Sequence, residues 1–436
     1  MTKPTIDLQE LRMRIGRRAK SAPTHRFWGL HVHIVKLETL HAAYLEAKRN
    51  RGAPGSDGVT FEQIEQAGVR EFLRELSEAL RSGTYQPKPY RQTEIPKAGG
   101  GRPRVISIPT IRDRVAQGAL RMVLEPIFEV DFSDSSYGAR PGRSAHQALG
   151  IVRKALHQRK HRVVDADLSG YFDNIRHDRV LEKVARRVQD GQVLAMVKQF
   201  LKSRGKKGLP QGSPLSPLLA NLALNDLDHA LDKGSNFIGY VRYLDDMIVL
   251  APNSERGRRW AGRALERIRE EAGAIGVSLN DDKTRIVDVD GPGATFTFLG
   301  FIFRWKRSAR SARWYAYLFP KPNKVTEVLR RIRGVLRKSR HLQMREAVQQ
   351  VNQILRGWVN YFRVGNSSAA LRKVKYHVER NVRRFAARKA GRGGFGWKRW
   401  SSEVVYRAWG LFADYRILYL DLAKVAQPTG TITPMR

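Results

Sequence analysis

A chain of 436 residues with 80 Lys and Arg against 41 Asp and Glu has a formal net charge of +39, far more than solubility demands, so a polyanion, nucleic acid first of all, is the expected partner. It contains no cysteine, which excludes disulfides, thiolate zinc sites and cysteine nucleophiles and leaves oxygen or histidine to hold any metal. No apolar run approaches the ~18 residues of a spanning helix, basic residues are spread along the whole chain, and the N-terminus lacks a signal-peptide pattern; no membrane partner and a cytoplasmic location are the expectations.

The length suits two or three domains, each with its own core. Apolar positions at helical spacing predict one or two amphipathic helices between Leu8 and Lys48. RGAPGSDGVT (51–60) reads as a loop, followed by a helical segment to Ser82. Short extended runs around IPKAGGGRPRVISIP predict a hairpin between Tyr85 and Pro109 whose basic, Gly-rich tip suits phosphates through Lys97, Arg102 and Arg104. Ile111 to Phe128 is a predicted helix with Val115, Ala119, Met122 and Val123 near one face.

RVVDADL (162–168) is strand-like, and its alternation puts Val163, Asp165 and Asp167 on one face. GYFDNIRHDRVLEKVARRV begins as a turn and continues as a helix, and GLPQGSPLSPLLANLALNDLDHAL is a Gly/Pro loop running into an apolar helix with Ser213 or Ser216 as N-cap. In IGYVRYLDDMIVLA (238–251) two half-apolar runs flank a Leu-Asp-Asp break, the pattern of a β-hairpin with Asp245 and Asp246 at its tip. A basic helix follows from about Ser254 to Gly276, then strands in VSLNDDKTRIVDV and FTFLGFIFRW. From Lys321 the periodicity is helical and strongly basic, broken at GNSS and GRGGFGWKRW; the latter is read inside a helical segment, and QPTGTITPMR as a loose tail.

Neighbouring residues on a strand face opposite ways, so Asp245 and Asp246 share a site only if the chain turns there. An acidic turn on a solvated surface is the competing reading, and Asp167 in a similar strand setting shifts the balance away from it. If the strand and the hairpin pair in one sheet, the three acids converge, and like charges that close need compensating cations. Two Mg²⁺ ions about 4 Å apart would serve, activating a 3′-hydroxyl and stabilising a leaving pyrophosphate. Lys97, Arg104 and Lys283 are suitable partners for a triphosphate.

The order RVVDADLSGYFDNI, LPQGSPLSPLLANL, YLDD, LNDDKTRI and FLGF resembles the consecutive motifs of reverse transcriptases encoded by bacterial group II introns, and the resemblance is nearly full length. RFWGLHVHIVKLETLHAAY with GAPGSDGVT is similar to that family's N-terminal extension, IPKAGGGRPRVISIPTIRDRV and SYGARPGRSAHQAL to its fingers, and ILRGWVNYF and FGWKRW to its thumb and maturase region.

The resemblance implies an α+β, right-hand polymerase: fingers and a palm with an antiparallel sheet, then an α-helical thumb and maturase domain. It implies an N-terminal extension and the start of the fingers over 1–84, fingers over 85–160, a palm over 161–318 with room for inserted fingers elements, a thumb and maturase domain over 319–425, and a flexible tail over 426–436. Asp167, Asp245 and Asp246 are the implied catalytic metal ligands, joined by the Leu168 carbonyl. Phe172 falls at the gate against a ribose 2′-hydroxyl, and Gln211 lies against the incoming nucleotide or template in a loop shaped by Pro210, Gly212 and Ser213. Lys97 and Arg104 match the fingers residues that meet the triphosphate, with Arg102 a rival, and Lys283 the lysine near the pyrophosphate.

The implied cofactor is a pair of Mg²⁺ ions, replaceable by Mn²⁺. The implied partners are group II intron RNA, an RNA template with a DNA primer or DNA target, and dNTPs. Trp397, Lys398, Arg399 and Trp400 are the expected RNA contacts, aromatics stacking on unpaired bases and cations on phosphates. The implied function is RNA-directed DNA synthesis with assistance to splicing and retrohoming. A splicing cofactor with a vestigial polymerase, or a free-standing reverse transcriptase in host repair or defence, are the alternatives. Two positions depart from the family pattern, Leu244 for the usual Ala and Ala139 for the usual aromatic, and the short C-terminus leads us to expect no endonuclease domain.

Overall fold

The computed structural model describes residues 7–96, 103–203, 205–233 and 237–419. Helices α1 (Leu8–Ser21), α2 (His31–Ile34), α3 (Leu37–Arg49), α4 (Phe61–Ala67) and α5 (Val69–Arg81) form the N-terminal layer. Each amphipathic member buries one stripe: Leu11, Ile15 and Ala19 of α1, Leu40 and Tyr44 of α3, Leu73, Leu76 and Leu80 of α5. Strands β1 (Arg91–Ile95) and β2 (Arg104–Ile108) make the expected antiparallel hairpin, with its tip outside the described residues.

Helix α6 (Ile111–Glu129) is not one-faced, as its sequence suggested, but buried nearly all round, because α1, α2 and α3 pack on it from one side and α11 (Ser216–Ala223) reaches it from another. Polar residues buried in it find partners: Glu125 accepts from Arg12 at 2.7 Å, and Gln117 donates to the Tyr90 hydroxyl at 3.2 Å.

A four-stranded antiparallel sheet follows α7 (Ala145–His157), in the order β5–β6–β3–β8. Its strands are β3 (Arg162–Ala166), β5 (Gly239–Tyr243), β6 (Asp246–Ala251) and β8 (Arg285–Asp288); β4 (Leu168–Ser169) pairs separately with β7 (Ser278–Leu279). Between β4 and β5 lie α8 (Tyr171–Asn174), α9 (His177–Ala185), α10 (Gly191–Lys202), α11 and α12 (Asn225–Asp232). Neither candidate serine caps α11: Ser216 is its first residue, and the Ser213 hydroxyl accepts from the Leu215 N–H and bonds Gln117 instead.

The sheet separates two cores. Val164, Ala166, Met247, Val249 and Ala251 point into the larger one, closed by α13 (Glu255–Ala274) through Ala261, Ala264 and Ile268. Val163, Val241, Ile248 and Leu250 point the other way, against α7 and a three-stranded sheet of β9 (Phe296–Phe298), β10 (Phe301–Arg307) and β11 (Trp314–Pro320). The sequence reading did not name β11. Its outer residues Tyr315, Tyr317 and Phe319 are as apolar as the inner Ala316 and Leu318, which hides the alternation.

The last unit is a bundle of α14 (Pro322–Lys338), α15 (Met344–Phe362) and α16 (Ser368–Lys389) around Val328, Ile332, Val351, Leu355, Val374 and Val378. Residues 391–400 form turns rather than the helical segment expected, since Gly391, Gly394 and Gly396 have φ of 64°, 78° and 66°. Among the described residues no helix is long and apolar enough to cross a membrane.

Candidate active site

Strand register decides where the acids meet. β3 runs antiparallel to β6 with Asp165 opposite Ile248 and Ala166 opposite Met247, so the ladder ends where Asp167 leaves β3 and Asp246 begins β6, close enough for the two charges to act on each other. Asp165 and Asp167 thus share the face of Val163, and that face passes from an apolar core at one end to acids at the other. β5 and β6 are joined by Leu244 and Asp245 alone, with Tyr243 paired to Asp246. Leu244 has φ +58°, the left-handed conformation that a two-residue hairpin usually gives to glycine and that costs a leucine ~1–2 kcal/mol.

The strain persists because the turn is held from several sides. Gly138 lies so close beneath it that a Cβ there would sit 2.6 Å from the Leu244 nitrogen and 2.9 Å from Leu244 Cγ. The Tyr137 N–H donates to the Arg242 carbonyl and the Arg242 N–H to the Ser135 carbonyl, both at 2.8 Å. Ala139, also left-handed at φ +53°, precedes Arg140, whose buried guanidinium pairs with Glu129 at 2.9 Å and fixes this loop. The sequence reading missed the most buried part of the support, Arg242 paired with Asp228. The visible signal was an arginine in the middle of a strand whose neighbours Tyr240 and Val241 are core residues.

The acids feel one another. Asp246 is exposed to water at its surface, yet protein atoms crowd around it. That burial, then the charges of Asp245, Asp167 and Asp165, pushes its carboxyl up to about 7, against the opposing pull of Arg104. Burial also raises Asp245, again opposed by Arg104 and reinforced by Asp167. Asp167 accepts Lys283 Nζ at 3.2 Å, and Asp165 accepts Arg285 Nε at 3.3 Å. The Asp167 backbone is fixed by the Asn280 N–H, which donates to its carbonyl at 2.8 Å.

An all-oxygen set of carboxylates, one of them raised first by burial and then by its neighbours' charges, fits a hard divalent cation. Among the described residues no three acidic or histidine side chains already stand at the spacing of a closed metal site, and the Lys283 ammonium occupies Asp167. Leu168 is buried and pairs with Leu279 in the short β4–β7 ladder beside Asp167.

The surrounding elements are laced to this centre. Arg104, the first residue of β2, is near enough to act on both Asp245 and Asp246; Lys97 and Arg102 lie outside the described residues. The Ser107 N–H of β2 donates to the Gln211 carbonyl at 2.7 Å, and Gln117 joins Tyr90 of the hairpin base to Ser213, so hairpin and Pro210–Ser213 loop form one wall. Phe172 is half-buried, edge-on to Tyr171 at 5.4 Å, and its carbonyl accepts the Leu209 N–H at 2.6 Å. From the bundle, Tyr361 donates to the Leu299 carbonyl at 3.0 Å and comes within electrostatic reach of Asp246.

The second predicted cluster lies on the bundle. Trp397 is 42 % exposed, stacked on Tyr376 at 6.0 Å, with the Arg383 guanidinium 4.2 Å from its ring centre. Lys398 and Arg399 are exposed beside it, whereas Trp400 turns inward toward Trp409 at 5.9 Å. Arg380 stands 4.3 Å over the Phe395 ring, extending the alternation of cations and aromatics.

Comparison with known proteins follows the same division. Residues 95–303 match the family model of reverse transcriptases (RNA-dependent DNA polymerases), and residues 325–403 that of the group II intron maturase-specific domain. The chain is 32 % identical over 353 residues to protein YkfC of Escherichia coli, covering 69 % of this chain and 89 % of YkfC. It is 26 % identical over 381 residues to the group II intron-encoded protein LtrA of Lactococcus lactis, covering 71 % of this chain and 62 % of LtrA. Over 90 residues it is 37 % identical to nuclear intron maturase 2, mitochondrial, of Arabidopsis thaliana, covering 21 % of this chain and 12 % of that protein.

Proposed function

The chain belongs to the reverse transcriptases, in the group that carries a group II intron maturase domain, and on that premise we propose that it extends a primer on an RNA template with dNTPs while binding the intron RNA whose splicing and retrohoming it assists. The observation that carries this reading is the β3–β6 ladder, whose end brings Asp167 within electrostatic reach of Asp246 beside the Asp245 turn, with Arg104 also in reach. Members of this family use divalent metal ions. We read residues 1–84, 85–160, 161–318 and 319–425 as N-terminal extension, fingers, palm and thumb with maturase domain.

Asp167, Asp245, Asp246 and the Leu168 carbonyl would hold two Mg²⁺ ions, with Mn²⁺ as substitute, which when bound supply activation of the primer 3′-hydroxyl and neutralise charge on the leaving pyrophosphate. The chain's own groups do the rest. Arg104, within electrostatic reach of Asp245 and Asp246, offers its guanidinium to triphosphate oxygens, and Lys283 exchanges its Asp167 partner for phosphate. Gln211, held through its backbone to β2, backs the base being copied or added. Phe172 fills the space beside the sugar where a 2′-hydroxyl would stand. On the bundle, Trp397 presents an indole face to an unpaired base while Lys398 and Arg399 meet phosphates, and Trp400 anchors their loop.

Primer extension on an RNA template tests this reading. The parent protein incorporates dNTPs, and the Asp245→Ala, Asp246→Ala double variant incorporates none above background. Robust synthesis by the double variant would overturn the metal assignment. Splicing assistance without any incorporation by the parent would leave an RNA-binding cofactor in place of a polymerase.

A further inference from the structure

The side chains of Arg242 and Asp228 are both 0 % exposed, so water reaches neither charge. Removing two charges from water is costly, and an apolar pair of similar volume is often at least as stable. Stability is therefore a weak reason for this pair, and its geometry suggests another. Arg242 Nε donates to Asp228 Oδ1 at 2.7 Å, and a second nitrogen, Nη2, to the other carboxylate oxygen. The third nitrogen, Nη1, points away, to Asn221 Oδ1 and to the Leu244 carbonyl, each at 3.0 Å. The planar fork thus uses one edge to lock itself and the remaining nitrogen to hold the turn.

Everything that touches the fork is itself fixed. The Tyr240 hydroxyl donates to Asp228 at 2.7 Å, and Asn221 donates to the carbonyl of Gly138, the residue pressed under Leu244. The bond from Arg242 thus ends on the carbonyl of the left-handed residue that immediately precedes Asp245 and Asp246.

We propose that Arg242 is a positioning residue: clamped by Asp228, it holds Leu244 in its left-handed conformation and thereby aims the Asp245 and Asp246 carboxylates. This rests on the polymerase reading only in taking those two acids as metal ligands. A clamp of this kind explains how a leucine is tolerated where the hairpin favours glycine. It also predicts that glycine at 244, which adopts φ +58° at no steric cost, makes the clamp dispensable.

The test uses the full chain and two readouts, Mn²⁺ binding followed by calorimetry and kcat for primer extension. In Arg242→Met with Asp228→Leu both charges are removed together, so no unpaired charge remains; the Tyr240 hydroxyl and Asn221 Oδ1 lose a partner, and the protein folds and melts a few degrees below the parent. Mn²⁺ affinity and kcat each fall, kcat by about 100-fold, the scale of a displacement of about 1 Å in a reacting site. Adding Leu244→Gly returns most of both. If the double variant does not fold, Arg242→Lys, which keeps the charge beside Asp228 but lacks the fork, shows the same loss and the same rescue. Parental affinity and kcat in a folded variant overturn the proposal, as does a loss that Leu244→Gly leaves unrepaired, which marks general loosening instead. A parent that binds Mn²⁺ but extends no primer refutes the polymerase reading alone, and the Mn²⁺ titrations still judge the clamp; a parent that binds no Mn²⁺ refutes both.

Discussion

Gly138→Ala adds a single methyl group against the turn that carries the acids. The new Cβ would lie 2.6 Å from the Leu244 nitrogen and 2.9 Å from the Tyr243 carbonyl carbon, where ordinary contact begins at 3.4 Å. The difference, 3.4 − 2.6, is 0.8 Å, and it cannot be absorbed by a rotamer change because the nearest atom is backbone. The turn must shift by about that distance, and Asp245 and Asp246 shift with it. Overpacking of this kind costs ~1–3 kcal/mol of stability, whereas a displacement of about 1 Å at a reacting site costs about 100-fold in rate. We therefore expect Gly138→Ala to fold, to melt a few degrees lower, and to lose about 100-fold in kcat for primer extension. Gly262→Ala is the control. It lies inside α13 with nothing within 4 Å of the new Cβ and should gain ~0.5–1 kcal/mol with activity unchanged. A Gly138→Ala protein with parental kcat would refute the claim that the 135–138 loop supports the acidic turn.

Other outcomes follow from the same geometry. Asp246 has its carboxyl raised from 3.8 to about 7, so the folded chain binds a proton that the unfolded chain has released; this contribution is present below the unfolded value and is lost as pH rises toward 7. In chelator-treated protein, thermal melts from pH 5 to 8 should show that decline in the parent and not in Asp246→Asn, while Mn²⁺ affinity rises over the same range; equal pH slopes in both proteins would contradict it. Phe172→Ala should relax sugar selection, measured as the ratio of dNTP to rNTP incorporation, and an unchanged ratio would mark Phe172 as packing only. RNA affinity measured by filter binding should fall steeply with salt, because each neutralised phosphate releases counterions. Trp397→Ala should lower that affinity by ~1–3 kcal/mol without changing the salt slope, and a flat salt response would remove the basic surface from RNA binding.

The acidic hairpin was legible because Val, Ile and Tyr alternate around Leu-Asp-Asp, and the Asp165/Asp167 face because an acidic stripe is conspicuous in so basic a chain. Register was not. Only the folded β3–β6 ladder, with Asp165 opposite Ile248 and Ala166 opposite Met247, shows that the end of β3 brings Asp167 to the start of β6; a slip of one residue would turn Asp165 toward the other core. The all-round burial of α6 escaped periodicity, since a one-sided apolar pattern reports the face that must be buried and stays silent about polar residues buried with partners. The Arg242–Asp228 pair was hidden for the same reason, its two charges standing 14 residues apart on different elements. The aromatic-basic run at 395–400 was visible, yet its glycines argued for turns more strongly than its neighbours argued for helix.

The most direct measurement is anomalous diffraction from crystals of the protein grown with Mn²⁺, a primer-template and an unreactive dNTP analogue. The account predicts two Mn²⁺ peaks bounded by the carboxylates of Asp167, Asp245 and Asp246, with Lys283 moved off Asp167. Manganese bound elsewhere, or those carboxylates still paired with protein cations while primer and nucleotide are in place, would contradict it.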